Sequence, residues 1–337
     1  PKGSGPRSAR RGRFPAMNER LLTLLARTGG VLTAREARSV GLDAIDLSCL
    51  ARTKELVRVR RDAYVEASRY HESSPDDRYR LVCRAVLATR GPHEALSHHS
   101  AVSTYGIDTF RLDRSVVDID SPSVASTRIR ARVRTHPQAL APQVLNGVKV
   151  VPLPLALAQL AGPRGVMSAL CSMDNALHHD RCSMADIKAA IEHLQGRHQG
   201  SARAALALVD PASESVGESR LRIVLKDLGF DVTTQVDISR GPRFLGRVDA
   251  LVDDLVAVEF DGLVKYEGVQ GSQNLVAEKR RESSITDGGL EFVRVIWSEL
   301  DDPVALATRV HQARGRALHR VRAADLVTHK AGSRTEI

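Results

Sequence analysis

The sequence has 337 residues, of which 42% are hydrophobic, and its formal net charge is +9. This composition excludes an intrinsically disordered chain, and the length suits about two or three domains that each bury a core. The positive charge favours a polyanionic partner, and nucleic acid is the commonest such partner inside a cell.

The cysteines and histidines give no sign of a disulfide framework or a metal site. Four cysteines occur without a CxxC pair, which excludes a zinc ribbon and favours a reducing, cytoplasmic environment. The pairs at 98–99 and 178–179 are adjacent histidines without zinc-like spacing, so we assign them ordinary polar or capping roles. No run of about 18 apolar residues occurs, which predicts no membrane contact and no secretion signal.

The chain begins with a basic, Gly- and Ser-rich segment at 1–16, which predicts a flexible arm. The arm either binds DNA phosphates or is a solvated leader without a function. Residues 17–70 then predict a winged helix. The stretch 18–28 has leucines on one helical stripe, Thr33 and Glu36 have capping-box spacing, and a third helix runs from about Asp43 to Thr53.

The segment ELVRVRRDAYVEA at 55–67 alternates basic and apolar residues around a turn at Arg61-Asp62, the pattern of a basic hairpin, or wing. A winged helix places its third helix in the major groove and its wing on phosphates. This predicts DNA contacts by the following residues: Asp46, Ser48, Arg52, Lys54, Arg58, Arg60 and Arg61. A winged helix that binds protein is the alternative.

Residues 71–195 predict a mixed middle domain with helices at 79–89 and 97–107. The stretch RIRARVRTH at 128–136 predicts one basic strand, with Arg128, Arg130, Arg132 and Arg134 along one face. Such a stripe either follows a nucleic-acid backbone or is a solvated outer face.

Residues 196–322 predict a further domain, with a polar break at its start and a tail at 323–337. From Ser215 the order of elements is helix, three strands, helix and strand. This α-β-β-β-α-β order suits a small mixed sheet flanked by helices, so the chain as a whole is an α+β and α/β multidomain protein.

Three carboxylates lie on adjacent strands of this sheet. Asp249 alternates with Val248 and Ala250, and Glu259 and Asp261 alternate with apolar residues, which predicts that the acids project from the non-core side. They share one face only if the connection at 252–255 has an odd offset, through a three- or five-residue loop or a bulge. Clustered carboxylates need a cation, and magnesium suits hard oxygen ligands.

We therefore predict a magnesium site at Asp249 and Glu259, where Lys265 orients water or neutralises charge on a phosphodiester. Glu218 either joins the site from the preceding helix or caps that helix. The basic residues Lys279, Arg280 and Arg281 either bind flanking phosphates or form a solvated face.

Residues 214–303 resemble the uncharacterised branch of PD-(D/E)xK nucleases that is similar to very-short-patch-repair endonucleases. The matching stretches are ESRLR (218–222), Gln235, GRVDAL (246–251), VEFDGLVKY (258–266), AEKRRE (277–282) and VRVIWSEL (293–300). The resemblance implies a restriction-endonuclease-like fold, an active set of Glu218, Asp249, Glu259 and Lys265, and support from Gln235 and Asp261. The sequence departs from the pattern of this family at two positions. Asp261 stands two positions after Glu259, where a lysine is usual, and Lys265 stands in place of a histidine.

Residues 17–190 resemble, more loosely, AbiEi-type antitoxins, through the winged helix and the SHHSA segment at 97–101. That resemblance implies binding to promoter DNA and a toxin or other defence-system protein as partner. Two hypotheses follow. The first is a magnesium-dependent DNA endonuclease of defence, restriction or repair, and the second is an antitoxin-like repressor with a non-cleaving nuclease-like domain.

Overall fold

The structure is a computed structural model that describes residues 18–138, 140–162, 165–262, 269–320, 322–323 and 325–331, with the backbone alone for 269–277. Contacts divide the described chain into two compact units. The first contains residues 18–106 and 112–156, and the second contains residues 107–111 and those from 157 onwards. Within the described ranges, no helix combines the length and apolar character that a membrane crossing needs.

The first unit begins with three helices and three strands in the order of a winged helix. They are α1 (Glu19–Thr28), β1 (Val31–Thr33), α2 (Ala34–Ser39), α3 (Ala44–Arg52), β2 (Leu56–Arg60) and β3 (Ala63–Glu66). The strands form an antiparallel sheet in the order β1-β3-β2. The three helices and the hairpin agree with the sequence prediction, but β1 was not predicted, because three residues carry too little periodicity for a strand signal.

Local signals in the sequence set the helix boundaries. Gly29 ends α1 in the left-handed conformation (φ 67°), where a side chain would be strained. Thr33 and Glu36 form the predicted capping box at the start of α2, and Asp43 and Asp46 form a second one at the start of α3. Leucines of α1 and α3 then pack on β1 and β2 as one core.

A second sheet completes the first unit. The elements around it are α4 (Ala67–Glu72), α5 (Pro75–Ala88), β4 (Ala95–Leu96), α6 (His98–Thr104), β5 (Val117–Ser121), β6 (Arg128–Arg130), β7 (Val133–Pro137), β8 (Gln143–Leu145) and β9 (Val148–Val150). The six strands lie in the order β6-β7-β5-β4-β9-β8. The histidines of the SHHSA segment are buried in α6, consistent with a polar structural role.

The single basic strand predicted at 128–136 is wrong, because the stretch forms a hairpin. Ala131 and Arg132 both adopt left-handed φ values of 47° and 61°, so the chain reverses between Arg130 and Val133. Arg134 then points inward, and its Nη1 lies 3.2 Å from Asp118 Oδ1. Alternation of charge predicted an extended strand here and gave no sign of the turn, because neither turn residue is a glycine.

The second unit contains helices packed around a five-stranded sheet. Helix α7 (Leu153–Leu160) precedes it in the chain, and the elements that follow are α8 (Val166–His178), α9 (Met184–Ile191), α10 (Arg197–Ala207), α11 (Val216–Asp227), β10 (Val232–Arg240), β11 (Arg243–Val252), β12 (Val256–Phe260), α12 (Val269–Asp287), β13 (Glu291–Val295), a 3-10 helix (Glu299–Asp301), α13 (Pro303–Leu318) and β14 (Leu326–Lys330). The predicted α-β-β-β-α-β order is present from α11 to β13.

Two boundaries differ from those expected. Helices α8 and α9, which the sequence placed in the middle domain, belong to the second unit. The predicted tail at 323–337 contains β14, which pairs with β10 and buries Leu326 in the core. A five-residue edge strand near a chain end has a weak sequence signal, so the pairing is a tertiary effect.

The sheet has the strand order β13-β12-β11-β10-β14, and only the pair β12 and β13 is parallel. Alternating residues of the central strands enter two separate cores. Ala250 and Val258 pack with α11 and α13, whereas Leu251 and Ala257 pack with Ile285 of α12. Helices therefore cover both faces, and the expectation of an open, non-core face for the carboxylates is wrong.

Candidate functional site

The β11–β12 hairpin brings Asp249 and Glu259 together. Val252 pairs with Val256, so three residues, 253–255, connect the strands, one of the two loop lengths that the sequence argument required. Asp253 and Asp254 make the reversal with left-handed φ values of 49° and 56°. The pairing of the two strands ends at Ala250 and Val258, and Asp249 and Glu259 are the next residues of the two strands. Val248 and Ala250 pack in different cores, so the alternation of β11 is interrupted at Asp249.

Asp249 is half-buried at this position, and its Oδ2 accepts a hydrogen bond of 2.8 Å from the backbone N–H of Phe260. Burial raises the pKa of Asp249 to about 7, and the charges of Glu218 and Glu259 add to this rise. Three carboxylates thus act on one another, and the ionised form of Asp249 is disfavoured without a cation.

Glu218 approaches from the first turn of α11. Its Oε2 accepts hydrogen bonds of 2.9 Å from Gln235 Nε2 and from the backbone N–H of Glu214, and its Oε1 accepts one of 2.8 Å from Ser215. Burial raises the pKa of Glu218, and the charge of Glu214 contributes. Glu218 therefore makes hydrogen bonds at the N-terminal end of α11, and the Gln235 that donates to it is buried.

Glu259 is held by an arginine network that sequence reasoning did not foresee. Arg281 Nη2 lies 2.5 Å from Glu259 Oε1 and also donates to Glu278, while Arg294 Nη2 donates to Glu278 at 2.6 Å. Burial raises the pKa of Glu259, and the hydrogen bond from Arg281 opposes that rise. The spacing of Glu278 and Arg281 by three residues was the available signal for part of this network.

The arginine network changes the expectation for the basic stretch of α12. Lys279 and Arg280 are exposed, as phosphate-binding residues must be. Arg281 is half-buried, and its side chain forms ion pairs with Glu259 and Glu278. Asp261 is half-buried beyond β12, and its backbone N–H donates to Val295. Lys265 lies outside the described residues.

The described residues contain no group of three or more His, Cys, Asp or Glu side chains arranged to hold a metal ion. Magnesium, however, needs only one or two carboxylates beside water and phosphate oxygens. Asp249 and Glu259 supply hard oxygen donors of this kind, but Arg281 Nη2 already lies 2.5 Å from Glu259 Oε1. A cation at Glu259 would therefore compete with this arginine.

The winged helix presents a second candidate site. Ser48, Arg52 and Lys54 are exposed on and just after α3, and Arg58 and Arg61 are exposed on the wing. Arg60 is half-buried, because a bulge between Arg58 and Arg60 interrupts the alternation of β2. Asp46, expected at the groove, instead accepts from the backbone N–H of Asp43 as the capping partner of α3.

Comparisons with known proteins bear on the winged helix. Residues 19–67 match the AbiEi_4 family, described as "Transcriptional regulator, AbiEi antitoxin". This match spans α1 to β3 and the first residue of α4. No curated protein matches the chain. Among solved structures, the chain is similar to the RV2827C protein from Mycobacterium tuberculosis, with 20% identity, a TM-score of 0.37, and coverage of 58% of this chain and 78% of that one.

Proposed function

We propose that the protein is a DNA-binding transcriptional regulator that places α3 in the major groove and its wing on the backbone. The observation that carries this proposal is the coincidence of the family match at 19–67 with a complete winged helix whose third helix exposes Ser48 and Arg52. Ile45, 78% exposed at the start of α3, adds an apolar side chain suited to a thymine methyl group.

The test is a gel shift and footprint on the DNA upstream of the protein's own gene. Arg52→Ala is expected to weaken sequence-selective binding about tenfold or more, because one good base or phosphate contact is worth about 1–3 kcal/mol. Arg197→Ala removes the same charge from an exposed position on α10 and serves as the matched control. Equal binding by both variants would contradict the proposal.

The family description also motivates a toxin as partner of the same protein. We expect co-expression with the product of the neighbouring gene to yield a complex that purifies together. Purification of the two proteins apart, with no relief of toxicity in cells, would count against an antitoxin role and leave the DNA-binding role intact.

A second candidate function is magnesium-dependent hydrolysis of DNA phosphodiesters by a PD-(D/E)xK-like site in the second unit. It is supported by one arrangement in the second unit, in which Asp249 accepts a hydrogen bond from the backbone N–H of Phe260, the residue after Glu259, and Glu218 accepts one from Gln235. Asp249 and Glu259 would hold the ion, which when bound polarises a phosphodiester and lowers the pKa of water. Gln235 would fix the position of the Glu218 carboxylate through its hydrogen bond to Oε2.

The test of hydrolysis is nicking of a supercoiled plasmid with Mg²⁺, compared between two conservative variants. Asp249→Asn keeps the shape of the side chain and removes one ligand charge, so nicking is expected to fall at least a hundredfold. Asp227→Asn changes an exposed carboxylate at the end of α11 and should leave the rate unchanged. Nicking at the same rate by both variants would assign the activity to a contaminant or another site.

A further inference from the structure

Helix α3 turns one face away from the core of the winged helix. Leu47 and Leu50 are buried in that core. Ile45, Ser48 and Arg52 are exposed and follow one another at helical spacings of three and four residues, so their side chains form a stripe on the opposite face. The stripe is apolar at its start, carries a hydroxyl in the middle and ends in a guanidinium.

The first residue of the stripe offers a base only an apolar contact. Ile45 lies in the first turn of α3, the part of a recognition helix that contacts base edges. Because 78% of this residue is exposed, its side chain contributes little to the packing of the protein. In the major groove, the apolar group that a base pair presents is the 5-methyl group of thymine. Ile45 therefore suits a thymine.

The hydroxyl of Ser48 is restricted by the helix itself. Its Oγ donates a hydrogen bond of 2.7 Å to the backbone carbonyl of Ala44. The proton is therefore used within α3, and the oxygen offers a base only its lone pairs. Adenine N6 and cytosine N4 both donate in the major groove, and every base pair contains one of the two. Ser48 therefore accepts from A·T and G·C pairs alike and selects weakly between them.

Arg52, the last residue of α3, keeps most of its donors for a ligand. Its Nη2 donates a hydrogen bond of 3.6 Å to Cys49 Sγ, a weak acceptor, and this contact keeps the side chain along the helix. In the part of the chain that the structure describes, no carboxylate forms an ion pair with Arg52. Guanine O6 and N7 are the pair of acceptors that a guanidinium fork binds with two hydrogen bonds. Arg52 therefore suits a guanine.

We propose that α3 selects a thymine at Ile45 and a guanine at Arg52, with a weakly selected base pair at Ser48 between them. The rise of about 1.5 Å per residue sets Ile45 and Arg52 about 10.5 Å apart along the helix. Base pairs of B-DNA stack at about 3.4 Å, so the thymine and the guanine lie about three base pairs apart. This inference rests on the proposed DNA-binding function and adds to it the selected bases and their separation.

The test begins with selection of bound duplexes from a random-sequence library by the full chain, followed by fluorescence anisotropy on the selected duplex. Two base analogues then each remove one group from that duplex. Deoxyuridine in place of the thymidine removes the 5-methyl group, and we expect about fourfold weaker binding by the wild type, the effect of one buried methyl group. Deoxy-7-deazaguanosine removes the N7 acceptor of the guanine and should weaken binding about tenfold.

Each variant of α3 should be insensitive to one analogue alone. Ile45→Ser should bind the thymidine and deoxyuridine duplexes equally and still discriminate against the 7-deazaguanine duplex, and Arg52→Ala should show the reverse. Arg58→Ala, on the exposed wing, should weaken binding to every duplex by the same factor, because a phosphate contact carries no base preference. All three side chains are exposed, so we expect wild-type melting temperatures for the three variants.

The outcomes separate this inference from the function on which it rests. Wild-type discrimination at both bases by Ile45→Ser and Arg52→Ala would overturn the assignment of bases and leave the DNA-binding function standing. A selected site in which the thymine and the guanine are not spaced by about three base pairs would do the same. Selection of no common site would overturn both, because each requires a helix that selects sequence.

Discussion

Arg281 reaches Glu259 because the strand beneath it carries a glycine. A Cβ atom at Gly246 would lie 2.8 Å from Arg281 Cδ and 3.2 Å from its Cγ, so any side chain there would push the arginine aside. Arg281 Nη1 also donates a hydrogen bond of 3.0 Å to the backbone carbonyl of Arg247. Gly246 of the GRVDAL stretch thus leaves the space through which Arg281 reaches Glu259 on the next strand, β12.

The first prediction concerns this arginine. Arg281→Met removes the nearest counterion of Glu259 and one of the two arginines that bind Glu278. We expect the free energy of unfolding of the second unit at pH 7 to fall by about 2 kcal/mol, within the range for hydrogen bonds to charged groups. The deficit should shrink toward pH 4, where protonation removes the uncompensated charge. Urea denaturation measures it, and Arg280→Met, the exposed neighbour, should change stability by less than about 0.5 kcal/mol.

A second prediction follows from the pKa of about 7 at Asp249, which is raised by burial and by three neighbouring carboxylates, Glu218, Glu259 and Glu214. The folded protein binds this proton more tightly than the unfolded chain, whose Asp has a pKa of about 3.9. The contribution to stability is therefore full below pH about 4 and is lost as the pH rises to 7. With a chelator present, Asp249→Asn should flatten this part of the pH–stability curve.

Magnesium should reverse the trend at Asp249. If the carboxylates bind the ion, Mg²⁺ raises the melting temperature of the wild type at pH 7 and leaves that of Asp249→Asn almost unchanged. Differential scanning fluorimetry from pH 4 to 8, with and without Mg²⁺, records both effects. If the melting temperature of the wild type in chelator depends on pH in the same way as that of Asp249→Asn, then Asp249 does not bind a proton with a raised pKa.

At the scale of elements, helices α8 and α11 are joined by a buried ion pair. Arg222 Nη2 lies 2.7 Å from Asp174 Oδ2, and the two side chains are 2% and 0% exposed. Arg222 also donates to the carbonyl of Leu208. The second arginine of the ESRLR stretch therefore packs α11 against its neighbour, while the glutamate of the same stretch faces the carboxylate site.

The third prediction tests this division of roles. Arg222→Met leaves Asp174 buried without its partner, and a broken buried pair costs about 3–5 kcal/mol. Lys226→Met, on an exposed face of the same helix, should be nearly neutral. Chemical denaturation compares the two variants, and a cost below about 1 kcal/mol for Arg222→Met would mean that the pair is not an essential link between the helices.

Elements with strong local signals were predicted from the sequence, and those that depend on distant contacts were not. The winged-helix order and the capping box at Thr33 follow from leucine spacing and cap chemistry, which act within a few residues. Strand β14 and the turn at Ala131 depend on partners elsewhere in the chain. The three-residue connection between β11 and β12 is one of the loop lengths that strand alternation allowed, whereas the Arg281 network requires the position of α12 over β11.

At the scale of the whole molecule, the division into two units has a thermodynamic consequence. Each unit has its own core, one built on the leucines of α1 and α3 and the other on both faces of the five-stranded sheet. Units with separate cores unfold in separate transitions, so a single free energy of unfolding does not describe the chain. Two calorimetric transitions are the fourth prediction. Leu50→Ala should lower one, and Arg222→Met should lower the other.

The same division predicts that the proposed DNA binding and the proposed phosphodiester hydrolysis can be separated by substitution. Arg52 lies in the first unit and Asp249 in the second. Arg52→Ala should raise the dissociation constant for duplex DNA about tenfold and slow nicking only at low protein concentration, because excess protein restores occupancy. Asp249→Asn should bind DNA at least as tightly as the wild type, since a negative charge near the phosphates is removed. Its nicking should be at least a hundredfold slower than that of the wild type at every protein concentration. Parallel anisotropy and plasmid assays over a range of protein concentration measure both, and nicking by Arg52→Ala that stays low at saturating protein would show that α3 contributes to the hydrolytic step itself.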